Sequence, residues 1–234
     1  MIKVALPKGR IANESLALFE RLYGSKFVFD DRKLILEHQG FIFMLVRSQD
    51  VPTYVIHQAA DIGIVGLDVI EEQQANVVKL LNLGIGKCKV VVGSELGKSI
   101  DYQKPQLKIA TKMPHITRKY FSNKAISIEA LKLYGSIELA PLVGLSDAIV
   151  DIVETGATMK QNNLKIDEVI MESSAYLIAN KNSFYEKKEL ILALYERLKS
   201  TLDSKQSRGR YESSSDSFVF IWDEFVCWGV GNVF

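Results

Sequence analysis

The sequence predicts an α/β fold, because short β-type runs alternate with segments of helical periodicity, several runs close on glycine, and the pattern restarts near residue 90. Alternation of this kind builds a largely parallel sheet whose ligands gather beyond the carboxyl ends of the strands. The loops at Lys8, Arg47 and Gly66 are therefore candidates from the outset.

Taken in order, Ile2 to Leu6 is an apolar run ending in Pro7-Lys8-Gly9-Arg10, and from Asn13 onward Leu16, Phe19, Leu22 and Tyr23 recur at helical spacing. Lys33 to Leu36 and Phe41 to Val46 flank Gln39-Gly40 as a hairpin. Asp50 is expected to cap a helix carrying Pro52 in its first turn. Ala60 to Gly66 reads as a strand, Leu67 to Gln74 as a helix and Val77 to Leu81 as a strand. After Cys88 come strands Lys89 to Val92 and Leu107 to Ala110, the helix His115 to Asn123, and Ile126 to Leu133.

Ser146 to Val153 reads as helical, since Leu145, Ile149, Ile152 and Val153 share a face, and it stops at Thr155-Gly156-Ala157-Thr158. Glu168 to Met171 and Ala175 to Ala179 read as strands. Ser183 to Leu202 reads as an amphipathic helix with Leu190, Leu194 and Leu198 in register. This implies a first lobe of residues 1–88, with the helix 183–202 packing back on it, and a second lobe of residues 89–182. Residues 203–234 fall outside both. They start as a polar stretch, SKQSRGRYESSSDS, expected to be a flexible linker, and end in FVFIWDEFVCWGVGNVF, either a docking segment or a reading-frame oddity.

The 234 residues are 47% hydrophobic and 24% charged, with 5 prolines, which suits a globular chain with a substantial core. Formal net charge is +1 and the cations are scattered, so no basic stripe is available for nucleic acid. An anionic ligand must be gripped by a few placed groups. Cys88 and Cys227 are the only cysteines and lack metal-ligand spacing, as reduced thiols of a cytoplasmic protein would. The start, MIKVALPKGR, is too short in apolar length for a signal peptide, and no run approaches the ~20 apolar residues of a membrane span.

The strongest chemical feature is Asp147-Ala148-Ile149-Val150-Asp151-Ile152-Val153-Glu154-Thr155-Gly156-Ala157-Thr158. Its Thr-Gly-Ala-Thr turn offers two hydroxyls and, if Ala157 opens a new helix, a run of N–H groups aimed at an anion. Asp151 is placed to accept hydrogen bonds from ribose hydroxyls, so the pair suits a ribose 5-phosphate. The competing interpretation is a helix C-terminus closed by Gly156.

Lys8, Arg10, Arg32 and Arg47 are cations near strand ends or turns of the first lobe, and isolated cations are usually solvated surface. For Arg47 the structural alternative is a salt bridge to Asp50. Asp61 and Asp68 bracket Gly63 and Gly66 in a strand-turn-helix unit that only weakly matches a nucleotide fingerprint. The three histidines have no spacing for a metal or a triad, and Glu138 reads by default as an exposed loop carboxylate.

Five ordered blocks, ALPKGR, RSQDVPTYV, ADIGIVGLD, KIATKMPHITRKYF and GSIELAPLVGLSDAIVDIVETGATM, together resemble the ATP phosphoribosyltransferase family over roughly residues 1–200. The resemblance implies a two-lobed fold similar to type II periplasmic binding proteins, with ATP and phosphoribosyl pyrophosphate in the cleft. It places the phosphoribosyl pyrophosphate site at Glu154, Thr155, Gly156, Ala157 and Thr158, with Asp151 and Glu138 at the ribose. It assigns Arg10, Gly66 and Asp68 to ATP, and Lys8, Arg32 and Arg47 to catalysis at the departing pyrophosphate. Mg²⁺ is implied as the cofactor, carried mainly by phosphate oxygens.

The matched region ends near Leu202, leaving no room for the family's histidine-binding regulatory domain, so the chain resembles the short form. That form implies a partner similar to histidyl-tRNA synthetase and a homodimer of catalytic chains. Two other readings stand beside this one. The first is a binding protein of the same fold without catalysis; the second is a type I phosphoribosyltransferase, whose motif IVDIVETGAT resembles but which expects adjacent acids on a strand.

Overall fold

The computed structural model describes residues 1–212, with side chains through Ser204; the remainder of the expected linker and the aromatic tail lie outside the described residues. The first half forms β1 (Ile2–Pro7), α1 (Arg10–Tyr23), β2 (Ile35–His38), β3 (Phe41–Val46), α2 (Val51–Ile56), β4 (Ile62–Gly66), α3 (Leu67–Gln73) and β5 (Val78–Asn82). The chain then crosses into β6 (Cys88–Glu95), β7 (Leu107–Thr111), α4 (Pro114–Asn123), β8 (Ile128–Lys132), α5 (Leu139–Leu142), β9 (Ala148–Val153), α6 (Ala157–Gln161) and β10 (Leu164–Ser173). It returns through β11 (Ala175–Ala179), α7 (Lys181–Glu186) and α8 (Lys188–Glu212).

Two sheets result, ordered β2-β3-β1-β4-β11-β5 and β10-β6-β9-β7-β8. Each has a core on both faces. In the first, Val4, Leu6, Phe19, Phe43 and Ile64 pack on one side and Ala5, Val51, Val55 and Val65 on the other. In the second, Val90, Ile109 and Phe121 oppose Val91, Ala110 and Ile149. β4 is buried along its whole length, which is why its run Ile62–Gly66 shows no alternation.

The topology fixes where ligands can bind. β1 and β4 are parallel neighbours, but the chain leaves β1 toward β3 and leaves β4 toward β5, so their carboxyl ends flank a point where the winding reverses. β7 and β9 form the same arrangement in the second sheet, since β7 leads to β8 on one side and β9 leads to β10 on the other. Each sheet thus presents one switch point.

Several expectations are corrected. The segment read as the helix Ser146–Val153 is the strand β9, buried at Ala148, Ile149, Val150 and Asp151. An interior strand of a parallel pair is apolar on both faces, and its unbroken run counterfeits helical spacing. Asp151 therefore does lie on a strand, which removes helical spacing as an argument against a type I phosphoribosyltransferase, while Ile152 still stands where that motif expects the second of two adjacent acids. What also separates the two is the architecture of two sheets, each with its own switch point.

The strand Ala175–Ala179, assigned by sequence to the second lobe, inserts between β4 and β5 of the first sheet. Asp50 precedes α2 but makes no side-chain cap bond. The C-terminal helix has a break at Lys187 and continues to Glu212, into the segment expected to be linker. Its buried stripe is Ile191, Leu194 and Leu198, packed into the core of the first sheet, whereas Leu190 is 53% exposed. The i, i+3, i+7 spacing places Ile191 on the inward face.

Candidate active site

Strand pairing gathers the first-lobe candidates on one rim. Pro7 is paired with Val46, and the Lys8 amide donates to the Val46 carbonyl at 2.9 Å, so Lys8 and Arg47 leave adjacent strand ends side by side. Leu45 donates from its amide to the Leu34 carbonyl, which brings the turn before β2, and Arg32 within it, to the same end. All three cations are exposed, and none makes an ion pair with a described residue. The Arg47–Asp50 salt bridge is absent; the two are joined only by the Asp50 amide donating to the Arg47 carbonyl.

Gly9 has φ 97 and ψ −146, a region essentially restricted to glycine, and it turns the chain so that Arg10 becomes the first residue of α1. Arg10 then reaches across to the second sheet. Its Nη2 donates to Glu154 Oε1 at 2.6 Å, while Nη1 lies 3.6 Å from Glu14. A residue beyond β1 thereby touches the loop beyond β9, and the two switch points meet.

At the carboxyl end of β4, Gly66 is buried, and a Cβ there would lie 2.2 Å from Asp68 Oδ1. The glycine lets the Asp68 carboxylate fold back, where it accepts from the Ser173 hydroxyl at 2.6 Å; Ser173 also receives the Asp68 amide at 3.1 Å. Asp68 is only 7% exposed, so one of its oxygens is committed to the crossover between sheets. Asp61, at the other end of β4, is structural. Burial raises its carboxyl, but the Lys187 ammonium at 2.7 Å and the Lys3 amide at 2.8 Å outweigh this and hold it below the usual range.

In the second sheet, β9 ends at Val153, and Glu154-Thr155-Gly156 turns into α6. Gly156 has φ 78 and immediately precedes Ala157, so it opens a helix instead of closing one. The reading of this turn as a helix C-terminus is therefore wrong. Ala157 donates from its amide to Thr155 Oγ1 at 3.4 Å, and the following first-turn amides have no intrahelical acceptor. Thr155, Ala157 and Thr158 are exposed. The turn exposes N–H and hydroxyl groups at a strand-to-helix junction, the chemistry that receives a phosphate.

Asp151 is 6% exposed on β9; its Oδ1 accepts from the Ile152 amide at 2.8 Å and lies 3.3 Å from Lys112 Nζ. Glu138 is half-buried and directly precedes α5, beyond the carboxyl end of β8. A cavity of about 360 Å³ opens beside the Arg10–Glu154 bridge, lined by Leu67, Cys88, Glu154, Ser173 and Tyr176 among others. Burial, reinforced by Asp68, pushes the Cys88 thiol up, which disfavours its thiolate.

Sequence reasoning missed three participants. Lys112 and Ser173 carry no local signal and acquire a role only through pairing between strands distant in sequence. Glu72 of α3 accepts the His115 and Ile116 amides at 3.0 and 2.9 Å, capping α4 from the opposite lobe. The lobes are thus joined at the Arg10–Glu154 pair, the Asp68–Ser173 bond and the Glu72 cap.

Comparison with known proteins gives the family and the fold. The family model described as ATP phosphoribosyltransferase matches residues 47–200. An ATP phosphoribosyltransferase of Helicobacter hepaticus is 99% identical over 205 residues, covering 88% of this chain and 100% of the relative. One from Wolinella succinogenes is 71% identical over 194 residues, covering 83% and 94%. Among solved structures, the ATP phosphoribosyl transferase (HisG:HisZ) complex from Thermotoga maritima aligns with a TM-score of 0.77 at 33% identity, covering 87% of this chain and 100% of that one. The periplasmic aliphatic sulphonate binding protein of Escherichia coli aligns at 0.58 with 13% identity, covering 91% and 75%, a likeness of fold alone. The fold is therefore the two-lobed type II arrangement, and with a relative matched over its whole length the chain belongs to the ATP phosphoribosyltransferase family.

Proposed function

We propose that this chain condenses ATP with phosphoribosyl pyrophosphate, giving N1-(5-phosphoribosyl)-ATP and pyrophosphate, the first step of histidine biosynthesis, with the reaction held between the two switch points. Family membership supports the activity. The observation that supports the location is the 2.6 Å contact between Arg10, beyond β1, and Glu154, beyond β9.

In this reading the 5-phosphate sits on the turn Thr155-Gly156-Ala157-Thr158, with Glu154 beside it. Asp151, with Glu138 near it, holds the ribose hydroxyls. Arg10, Gly66 and Asp68 meet ATP from the facing lobe, and Lys8, Arg32 and Arg47 form a cationic rim for the departing pyrophosphate. The adenine N1 lone pair forms a bond to C1 of the ribosyl group while the C1–oxygen bond breaks and its electrons leave with pyrophosphate. Positive charge therefore grows on the sugar and negative charge on the leaving group. Fixed guanidinium and ammonium groups on the rim stabilise that separation without reorganising, and the carboxylate and phosphate turn set the sugar for in-line attack.

Among the described residues no three His, Cys, Asp or Glu side chains cluster as a metal cage. Mg²⁺ would be carried mainly by the phosphate oxygens of the substrates, a mode that needs no such cage, and no step depends on a protein ligand to it. The Thermotoga maritima complex pairs HisG with HisZ, which supports a HisZ-like partner for this chain; that this partner is regulatory and similar to histidyl-tRNA synthetase is part of the proposal. A homodimer and a cytoplasmic setting complete the proposal; no described helix is long and apolar enough to cross a membrane.

The test is to mix the purified full chain with ATP, phosphoribosyl pyrophosphate and Mg²⁺, with and without such a partner, and to measure phosphoribosyl-ATP by mass spectrometry. Product formation is expected. Tight ligand binding without product in either mixture would instead support the non-catalytic binding protein.

A further inference from the structure

Resting on the assignment of Asp151 to the ribose, we propose that Lys112 is a positioning residue for phosphoribosyl pyrophosphate, acting through Asp151. Lys112 immediately follows β7, which lies between β9 and β8 in the sheet. Thr111 is paired with Val150, so the next residues, Lys112 and Asp151, emerge together at the switch point of the second sheet. The Lys112 ammonium stands 3.3 Å from Asp151 Oδ1, and the Ile152 amide donates to that same oxygen at 2.8 Å.

One hydrogen bond, from the Ile152 amide, and one ion pair, with Lys112, converge on Oδ1 and restrain the carboxylate. Oδ2 receives no hydrogen bond from the described residues and is left for the ligand. A carboxylate only 6% exposed would be costly without a nearby cation, and Lys112 is the ion-pair partner the structure supplies. Lys112 is itself half-buried, its side chain 37% exposed, and its ammonium is held by the ion pair to Asp151. The lysine therefore holds the Asp151 carboxylate in place, with its free oxygen turned to vicinal ribose hydroxyls.

The experiment compares the full chain with Lys112→Met, Lys112→Arg, Asp151→Asn and the double variant Lys112→Met/Asp151→Asn. Calorimetry with phosphoribosyl pyrophosphate is paired with KM and kcat in the presence of the regulatory partner. Lys112→Met should weaken phosphoribosyl pyrophosphate binding at least about tenfold, the scale of a lost charged hydrogen bond, while KM for ATP stays within about twofold. Lys112→Arg should recover most of the loss. The double variant should bind no worse than Asp151→Asn alone, because the lysine acts only through the aspartate.

Additive losses would overturn the proposal, as would normal binding by Lys112→Met beside impaired Asp151→Asn. Unchanged binding by Asp151→Asn would sink the ribose assignment itself and the lysine's role with it. If Lys112→Met loses its fold by circular dichroism, the arginine variant decides: failure to bind while folded overturns the proposal, and near-normal binding supports it.

Discussion

Replacing Arg10 by alanine separates the structural from the functional meaning of the contact between lobes. The Arg10 and Glu154 side chains are 47% and 54% exposed, and ion pairs that open to water contribute about 0.2–1 kcal/mol to stability. The second partner, Glu14, is 3.6 Å away on the same helix and adds about 0.3–0.5 kcal/mol. The fold should therefore lose no more than about 1.5 kcal/mol, and since about 1 kcal/mol moves the midpoint of a 150–250-residue protein by roughly 2–4 °C, Tm should fall by no more than about 6 °C. If Arg10 meets the triphosphate, removal of a preorganised donor costs about 10²–10³ in turnover. Differential scanning fluorimetry and steady-state assays on the same preparation read both quantities. A Tm drop well beyond about 6 °C with turnover near normal would refute the reasoning and make the pair a structural strut.

Further outcomes follow from the same geometry. Arg47→Ala should lose at least about a hundredfold in turnover with an unchanged melt, because Arg47 has no described ion-pair partner to lose; near-normal activity would make it solvated surface. Gly156→Val should abolish phosphoribosyl pyrophosphate binding in calorimetry, since φ 78 is a conformation that a β-branched residue adopts only under strain; unchanged affinity would remove the phosphate from this turn. Lys187→Met should destabilise the first lobe by about 3 kcal/mol by leaving Asp61 buried without its cation. Because the folded Asp61 carboxyl lies below its unfolded value of 3.8, its contribution is complete above that pH and is lost as pH falls through the lower folded value. Asp61→Asn should flatten that acid limb in melts measured down the pH scale, and an unaltered limb would assign it to other carboxylates.

The parts of the fold legible in sequence were those whose signals are local. β1, α1, the hairpin β2–β3 and the strand-helix unit at Gly66 are marked by a change of periodicity and by turn residues, and they stand where expected. The loops at Lys8, Arg47 and Gly66 follow from the rule that ligands gather at strand carboxyl ends, and register alone brings the first two together. The two misplaced strands were hidden by signals that are not local. β9 is buried on both faces, so the alternation that identifies a strand is missing, and Ala175–Ala179 reveals its sheet only through antiparallel partners more than ninety residues away in β4 and β5. Lys112, Ser173 and Glu72 were invisible for the same reason: each contact spans from about 40 to about 105 residues of chain.

A crystal structure of the full chain with phosphoribosyl pyrophosphate bound, and inert to turnover because ATP is withheld, measures the central assignment most directly. The 5-phosphate should rest on the amides of Gly156 to Thr158, with the ribose hydroxyls at Asp151 and the pyrophosphate turned toward Lys8 and Arg47. Electron density placing the 5-phosphate away from that turn, or the pyrophosphate away from the cationic rim, would contradict it.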